Sequence, residues 1–159
     1  YAQLSPDVNL LGMECTNAVA RYAADRARRH KLWNVRLLLC DADLFIRHDV
    51  PDHTFSRVHI YFPDPWPKKR HHRRRFVTPE HLEPLAQVLK PGAIFRVATD
   101  IPDYVRQTLQ QVPKHGFEWL AEGPKDWREP WEDWLSTRYE QKALREGRVP
   151  HYLTFRREG

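Results

Sequence analysis

Tyr61-Phe-Pro-Asp-Pro-Trp-Pro-Lys-Lys-Arg-His-His-Arg-Arg-Arg75 ends a β-run in a proline-stiffened acidic turn and opens a block of positive charge. Val58, Ile60 and Phe62 alternate with His59 and Tyr61, the pattern of a strand with two unlike faces. Pro63, Pro65 and Pro67 then fix φ at alternate residues and remove backbone donors, so the chain leaves the sheet with Asp64 and Trp66 on a stiff turn. A carboxylate at the C-terminal end of a strand stands where α/β folds bind ligands. The eight residues from Lys68 to Arg75 hold six Lys/Arg, two His and no acid.

On the N-terminal side, Val8 to Glu14 and Val35 to Cys40 are apolar runs that predict buried strands, the second ending at Asp41-Ala-Asp43. Between them Thr16 or Asn17 can cap a helix on which Val19, Tyr22, Ala23, Arg26 and Ala27 share a face, with Arg28, Arg29, His30 and Lys31 complementing its C-terminal dipole. Leu44 to Asp49 predicts one or two helical turns, and Ser56 to Phe62 the third strand. On the C-terminal side Thr78-Pro79 starts a helix with Leu82, Leu85, Ala86 and Leu89 on one face, Pro84 predicts a kink in it, and Lys90-Pro91-Gly92 stops it. Ala93 to Ala98 is a fourth strand, and Pro102 opens a helix with Tyr104, Val105, Thr108, Leu109 and Val112 as its face. Strands and helices thus alternate, which predicts a parallel, doubly wound α/β sheet. Four strands in turn end in an acid, Glu14, Asp41, Asp64 and Asp100, and such a sheet is expected to gather them on one rim.

The last third changes character. Phe117 to Ala121 predicts a strand, Trp127, Trp131 and Trp134 lie in an irregular acidic connection and are expected to pack, a polar helix runs from Ser136 to about Glu146, and Pro150 to Arg157 predicts an antiparallel edge strand.

With 159 residues the chain has the length of one domain, and its net charge of +5 is smaller than the +6 of the 68–75 block, so the basicity reads as a patch suited to a polyanion, nucleic acid before anionic membrane. So dense a run of like charge is expected to be disordered in the free protein. Cys15 and Cys40 lack metal-ligand or redox spacing and read as reduced core residues of a cytoplasmic protein. No apolar run approaches a membrane span, and nine histidines without a ligand frame predict no metal.

Gly12-Met-Glu14, Asp41-Ala, Phe62-Pro-Asp-Pro-Trp-Pro-Lys68 with its Arg-rich continuation, Leu89-Lys-Pro-Gly92, Ala98-Thr-Asp100 and Thr137-Arg-Tyr-Glu140 together resemble the tRNA (guanine-N7)-methyltransferases, in that family's order and over nearly the whole chain. The resemblance implies a Rossmann-like class I S-adenosylmethionine-dependent methyltransferase fold and transfer of a methyl group from S-adenosyl-L-methionine to N7 of a guanosine in tRNA. It implies that Glu14 holds the ribose hydroxyls of the cofactor, Asp41 the adenine end, and that Asp64 lies nearest the methyl group and the target base. Lys68, Asp100, Thr137, Arg138, Tyr139 and Glu140 match substrate-contacting positions, and Arg70, His71, His72, Arg73, Arg74 and Arg75 the RNA-contacting segment. Thr137-x-x-Glu140 also fits a capping box by spacing alone, and Trp66 is either a base platform or a plug under the turn.

One departure bears on the cofactor. The family carries a first strand and a glycine-rich loop before the equivalent of Gly12-Met-Glu14, and none of the six glycines here substitutes, so residues 1–159 are expected to be a single, N-terminally incomplete methyltransferase domain with weak cofactor binding. Two other readings compete: a non-catalytic RNA-binding module, and a methyltransferase acting on an exocyclic amine.

Overall fold

The computed structural model describes residues 1–159. They form two compact units, Tyr1–Val50 and Pro51–Gly159.

In the first unit the buried runs become parallel strands β1 (Leu10–Glu14) and β2 (Val35–Leu39), paired from Leu10 opposite Val35 to Glu14 opposite Leu39. Gly12 permits a close approach, since a Cβ there would lie 2.6 Å from Leu37 Cδ2. Helix α1 (Asn17–Arg29) connects the two strands. Its predicted face is not a core face: Val19 and Tyr22 are exposed, and Ala20 is the buried residue. The helix ends in a Schellman motif, with Leu32 N–H donating to the Ala27 carbonyl at 2.9 Å and Lys31 N–H to that of Arg28 at 3.0 Å. Helix α2 (Ala42–His48) follows β2 directly.

The second unit is built on a four-stranded sheet of β3 (Phe55–Tyr61), β4 (Leu89–Thr99), β5 (Phe117–Trp119) and β6 (His151–Arg157), in the order β3-β4-β6-β5. β3 and β4 are parallel; β6 is antiparallel to both its neighbours. The C-terminal strand is therefore antiparallel as expected but lies inside the sheet, and the short β5 takes the edge. Helix α3 (Pro79–Val88) runs on through Pro84 without interruption, and Lys90-Pro91-Gly92, expected as a stop, already belongs to β4. Helix α4 (Pro102–Gln111) follows β4, and α5 (Lys125–Arg128) and α6 (Arg138–Arg145) lie between β5 and β6. No helix is long and apolar enough to cross a membrane.

The strand period of two gives this sheet unlike faces. One carries Phe95, Val97, Leu153, Phe155 and Phe117, all essentially inaccessible, and Arg157 on the same face ties it to α3 by donating to the Ala86 carbonyl at 3.1 Å. The other face carries Arg57, His59 and Tyr61 of β3, Arg96 of β4, and Tyr152 and Thr154 of β6. Trp131 and Trp134 cover it: Trp131 Nε1 donates to Thr154 Oγ1 at 2.8 Å, Arg96 sits 4.7 Å over the Trp131 ring, and Tyr61 and Tyr152 meet Trp134 edge-on. These tryptophans pack, as expected, but on a polar aromatic layer.

Within that layer burial, with the Arg96 and Arg57 charges adding to it, lowers His59 to about 4 from its ordinary 6.5. Between pH 6.5 and 4 the unfolded chain therefore takes up a proton that the native state refuses, so stability falls as pH drops through that window. His151, lowered chiefly by burial, acts in the same direction. Urea denaturation is expected to show a loss on the order of 2 kcal/mol between pH 7 and 4.5 from His59, with His151 adding to it. His59→Gln should remove the larger part of that slope.

Candidate functional site

Each unit brings two of the four strand-end acids to the C-terminal ends of adjacent parallel strands. In the first, Glu14 closes β1 and Asp41 follows β2, with the Cys40 N–H donating to the Glu14 carbonyl at 3.0 Å. Each carboxylate commits one oxygen locally. Glu14 Oε1 accepts from Thr16 N–H at 2.8 Å and from the Cys15 thiol at 3.7 Å; Asp41 Oδ1 caps α2, accepting from Asp43 N–H at 2.9 Å and Leu44 N–H at 3.3 Å. The second oxygen of each makes no such bond, which suits hydroxyl or amino donors of a ligand.

In the second unit Asp64 follows β3 and Asp100 closes β4, whose ends are paired Tyr61 to Ala98. Phe62 N–H still donates to the Ala98 carbonyl at 2.7 Å, and there the chain turns away. Phe62 (φ 48°) and Trp66 (φ 40°) both adopt left-handed backbone, each at a cost of about 1–3 kcal/mol in a residue with a Cβ. Such a turn needs an external hold, and Arg75 provides it. Its side chain is 1% exposed; Nε donates to the Pro65 carbonyl at 2.8 Å, Nη2 to that of Trp66 at 3.4 Å, and Nη1 to Gln107 Oε1 at 2.7 Å, with Asp103 Oδ2 at 2.9 Å. Gln107 in turn donates to the Val77 carbonyl at 2.7 Å. The turn is thus bolted to α4 while Asp64 itself stays exposed. Hydrogen bonding from Arg75, outweighing the opposing effect of burial, holds Asp103 below the usual carboxylate range. Burial pushes Tyr104 under the same guanidinium up to about 12, with the Asp64 charge adding to the rise.

The basic block is a 3-10 helix over Lys69–Arg74 rather than the disordered loop expected. It sorts its cations. Lys68, Arg70, Arg73 and Arg74 are exposed, and Arg74 lies 4.9 Å over the Trp66 ring. His71 meets Trp66 edge-on, and His72 Nε2 lies 3.4 Å from Asp103. Arg75, expected among the RNA-contacting residues, instead spends its donors inside the protein. Trp66, half-buried under Arg74 and beside His71, is closer to the plug than to an open platform.

Among the predicted substrate positions, Arg138 and Tyr139 are exposed, whereas Asp100 and Glu140 have internal partners. Asp100 accepts from Arg148. Glu140, 4% exposed, accepts from Trp134 Nε1 at 2.9 Å and from Tyr152 Oη, so both its carboxylate oxygens have partners inside the protein. Burial alone would raise its carboxyl, but bonds from Ser136, Tyr152, Trp134 and the Thr137 amide bring it below the ordinary value. Thr137 Oγ1 accepts from Glu140 N–H at 3.1 Å, so the pair forms the reciprocal capping box that its spacing allowed. Sequence reasoning missed Arg96, Gln107 and Arg148; a cation inside an apolar run, as in Phe95-Arg96-Val97, was the available signal for the first. No group of three or more His, Cys, Asp or Glu is disposed to hold a metal ion.

Replacing Arg75 by Met should strip the Pro65 and Trp66 carbonyls of their donor, leave Asp103 to Arg106 and His72, and cost about 2–3 kcal/mol in urea denaturation. Arg73→Met, at an exposed neighbour, should stay within about 0.5 kcal/mol.

A family model described as "Putative methyltransferase" matches residues 1–153. The tRNA (guanine-N(7)-)-methyltransferase of Ruegeria sp. (strain TM1040) is 65% identical over 160 residues, covering 99% of this chain and 61% of that protein. Those of Ruegeria pomeroyi and Roseobacter denitrificans are 66% and 61% identical, covering 98% and 99% of this chain and 65% and 67% of their own lengths. The chain therefore spans about two-thirds of the length of the curated relatives it matches. Among solved structures, a SAM-dependent O-methyltransferase from Thermotoga maritima superposes with TM-score 0.58 at 13% identity, over 95% of this chain and 50% of that one. A SAM-dependent methyltransferase from Aquifex aeolicus gives the same score and identity over 93% and 68%. The fold is that of the class I S-adenosylmethionine-dependent methyltransferases, with a mixed parallel and antiparallel sheet.

Proposed function

The chain belongs to the tRNA (guanine-N7)-methyltransferase family, and from that premise we propose that residues 1–159 belong to a methyltransferase domain that forms 7-methylguanosine in tRNA, in the cytoplasm, with S-adenosyl-L-methionine as methyl donor. The observation that carries the reading is Asp64, exposed at the end of β3 on a turn fixed by the buried Arg75 and followed at once by exposed Lys68, Arg70, Arg73 and Arg74. Acid and cations leave one rigid element together.

Glu14 and Asp41 fit the donor with their uncommitted oxygens, Glu14 accepting from ribose hydroxyls and Asp41 at the adenine end. When bound, the group supplies an electrophilic methyl on a sulfonium. Guanine N7 in the neutral base carries a lone pair and no proton, so the chain need not provide a strong general base. What its residues must supply is orientation. Asp64 can accept from the N1–H and N2–H groups of guanine, fixing N7 in place, and its charge offsets the cation that the methylated ring becomes. The three prolines and the Arg75 bonds restrict that carboxylate before substrate arrives. Arg70, Arg73 and Arg74 hold phosphates, giving affinity without base specificity. Lys68, Arg138 and Tyr139 remain available to the nucleotide.

Asp64→Ala should abolish 7-methylguanosine formation, read by nucleoside mass spectrometry on a tRNA transcript, while tRNA affinity changes less than about threefold; undiminished methylation, or a methyl group on an exocyclic amine, would refute the assignment. Charge reversal at Arg73 and Arg74 should weaken tRNA binding and flatten its salt dependence by about 2 in log–log slope. An unchanged slope would remove this segment from RNA contact.

A further inference from the structure

The whole-chain charge conceals a second cationic segment: Thr16 to Cys40 holds six Lys/Arg and one acid, Asp25. Arg21, Arg26, Arg28, Arg29, Lys31 and Arg36 are all exposed. Asp25 reaches Arg28 and Arg29 at 3.0 and 2.7 Å, but those arginine side chains are 77% and 71% exposed, and such surface pairs hold little free energy. Beside these charges Trp33 is 83% exposed, with Arg36 Nη1 donating to its carbonyl at 3.0 Å. An apolar groove of about 360 Å³ is lined by Ala27 and Leu37 and by Arg28, Lys31, Trp33 and Arg36.

Favourable charge at a helix C-terminus would account for Arg26, Arg28 and Arg29. It does not account for Lys31, which takes the left-handed C′ position of the Schellman motif at φ 53°, where glycine is the low-energy residue. Nor does it account for a fully presented indole among the charges. Exposed cations around an aromatic platform are how single-stranded nucleic acid is held, phosphates on the charges and a base on the ring.

We propose that the C-terminal end of α1 and the turn into β2 form a second RNA-contact surface, with Arg28, Lys31 and Arg36 on phosphates and Trp33 stacking on an unpaired base. This rests on the tRNA reading above and extends it from the 68–75 block to the other unit. The segment accordingly tracks the RNA backbone and one splayed nucleotide without reading sequence.

The test is fluorescence anisotropy with an unmodified tRNA transcript and an oligouridine of about 12 nucleotides, from about 50 to 200 mM salt. Arg28→Ala/Lys31→Ala/Arg36→Ala should weaken tRNA binding at least about tenfold and reduce the log–log salt slope by about 2–3. Trp33→Ala should weaken both RNAs about tenfold with the slope unchanged. Lys31→Gly should raise the melting midpoint by about 2 °C yet weaken tRNA binding, which separates the ammonium from the fold. Wild-type affinity and slope in the triple variant and in Trp33→Ala overturn the proposal; if Arg73 and Arg74 reversal still flattens the slope, the proposed function survives that loss. Binding of the unaltered chain to phosphatidylserine vesicles but to neither RNA overturns both.

Discussion

A single buried guanidinium governs the presentation of the reactive acid. Arg75 carries its positive charge into the second unit, where two carbonyls of the acidic turn, an amide oxygen and a carboxylate of α4 receive it. Loss of this buried donor would leave the two turn carbonyls without their bonds, which costs more than making those bonds gains, so turn, 3-10 helix and α4 are fixed as a set. The left-handed backbone at Phe62 and Trp66 can persist because that set over-determines it. Proline removes the freedom of the turn, and Arg75 decides where it points.

The second unit divides its sheet between two kinds of cohesion. On one face phenylalanines, leucines and valines exclude water against helices, a non-directional gain that tolerates volume-conserving change. On the other, Trp131, Trp134, Tyr61, Tyr152, His59, Arg96 and Glu140 meet through bonds and ring contacts that depend on angle. Such a layer fixes one arrangement of the last third of the chain, and partial loss of it leaves buried donors or acceptors unsatisfied. The cost appears in the titration of His59, whose neutral form is enforced by burial beside two arginines.

The cations divide in the same way. Of the basic block, Arg70, Arg73 and Arg74 face water and Arg75 faces inward, although the sequence presents them as one run. The cations of α1 were legible as a helix end, but only the exposure of Trp33 and the left-handed Lys31 make that end more than a dipole complement.

Strand and helix order, the strand-end positions of Glu14, Asp41, Asp64 and Asp100, and the proline turn were determined by the sequence itself, because periodicity, capping and fixed φ are local properties. The interior place of β6, the burial of Arg75 and Glu140, and the pairing of Asp100 with Arg148 were decided only by tertiary structure. The side-chain partners lie 12 to 48 residues away and the β4 partners of β6 lie 52 to 62 away, and no local pattern tells a charge destined for water from one destined for such a partner.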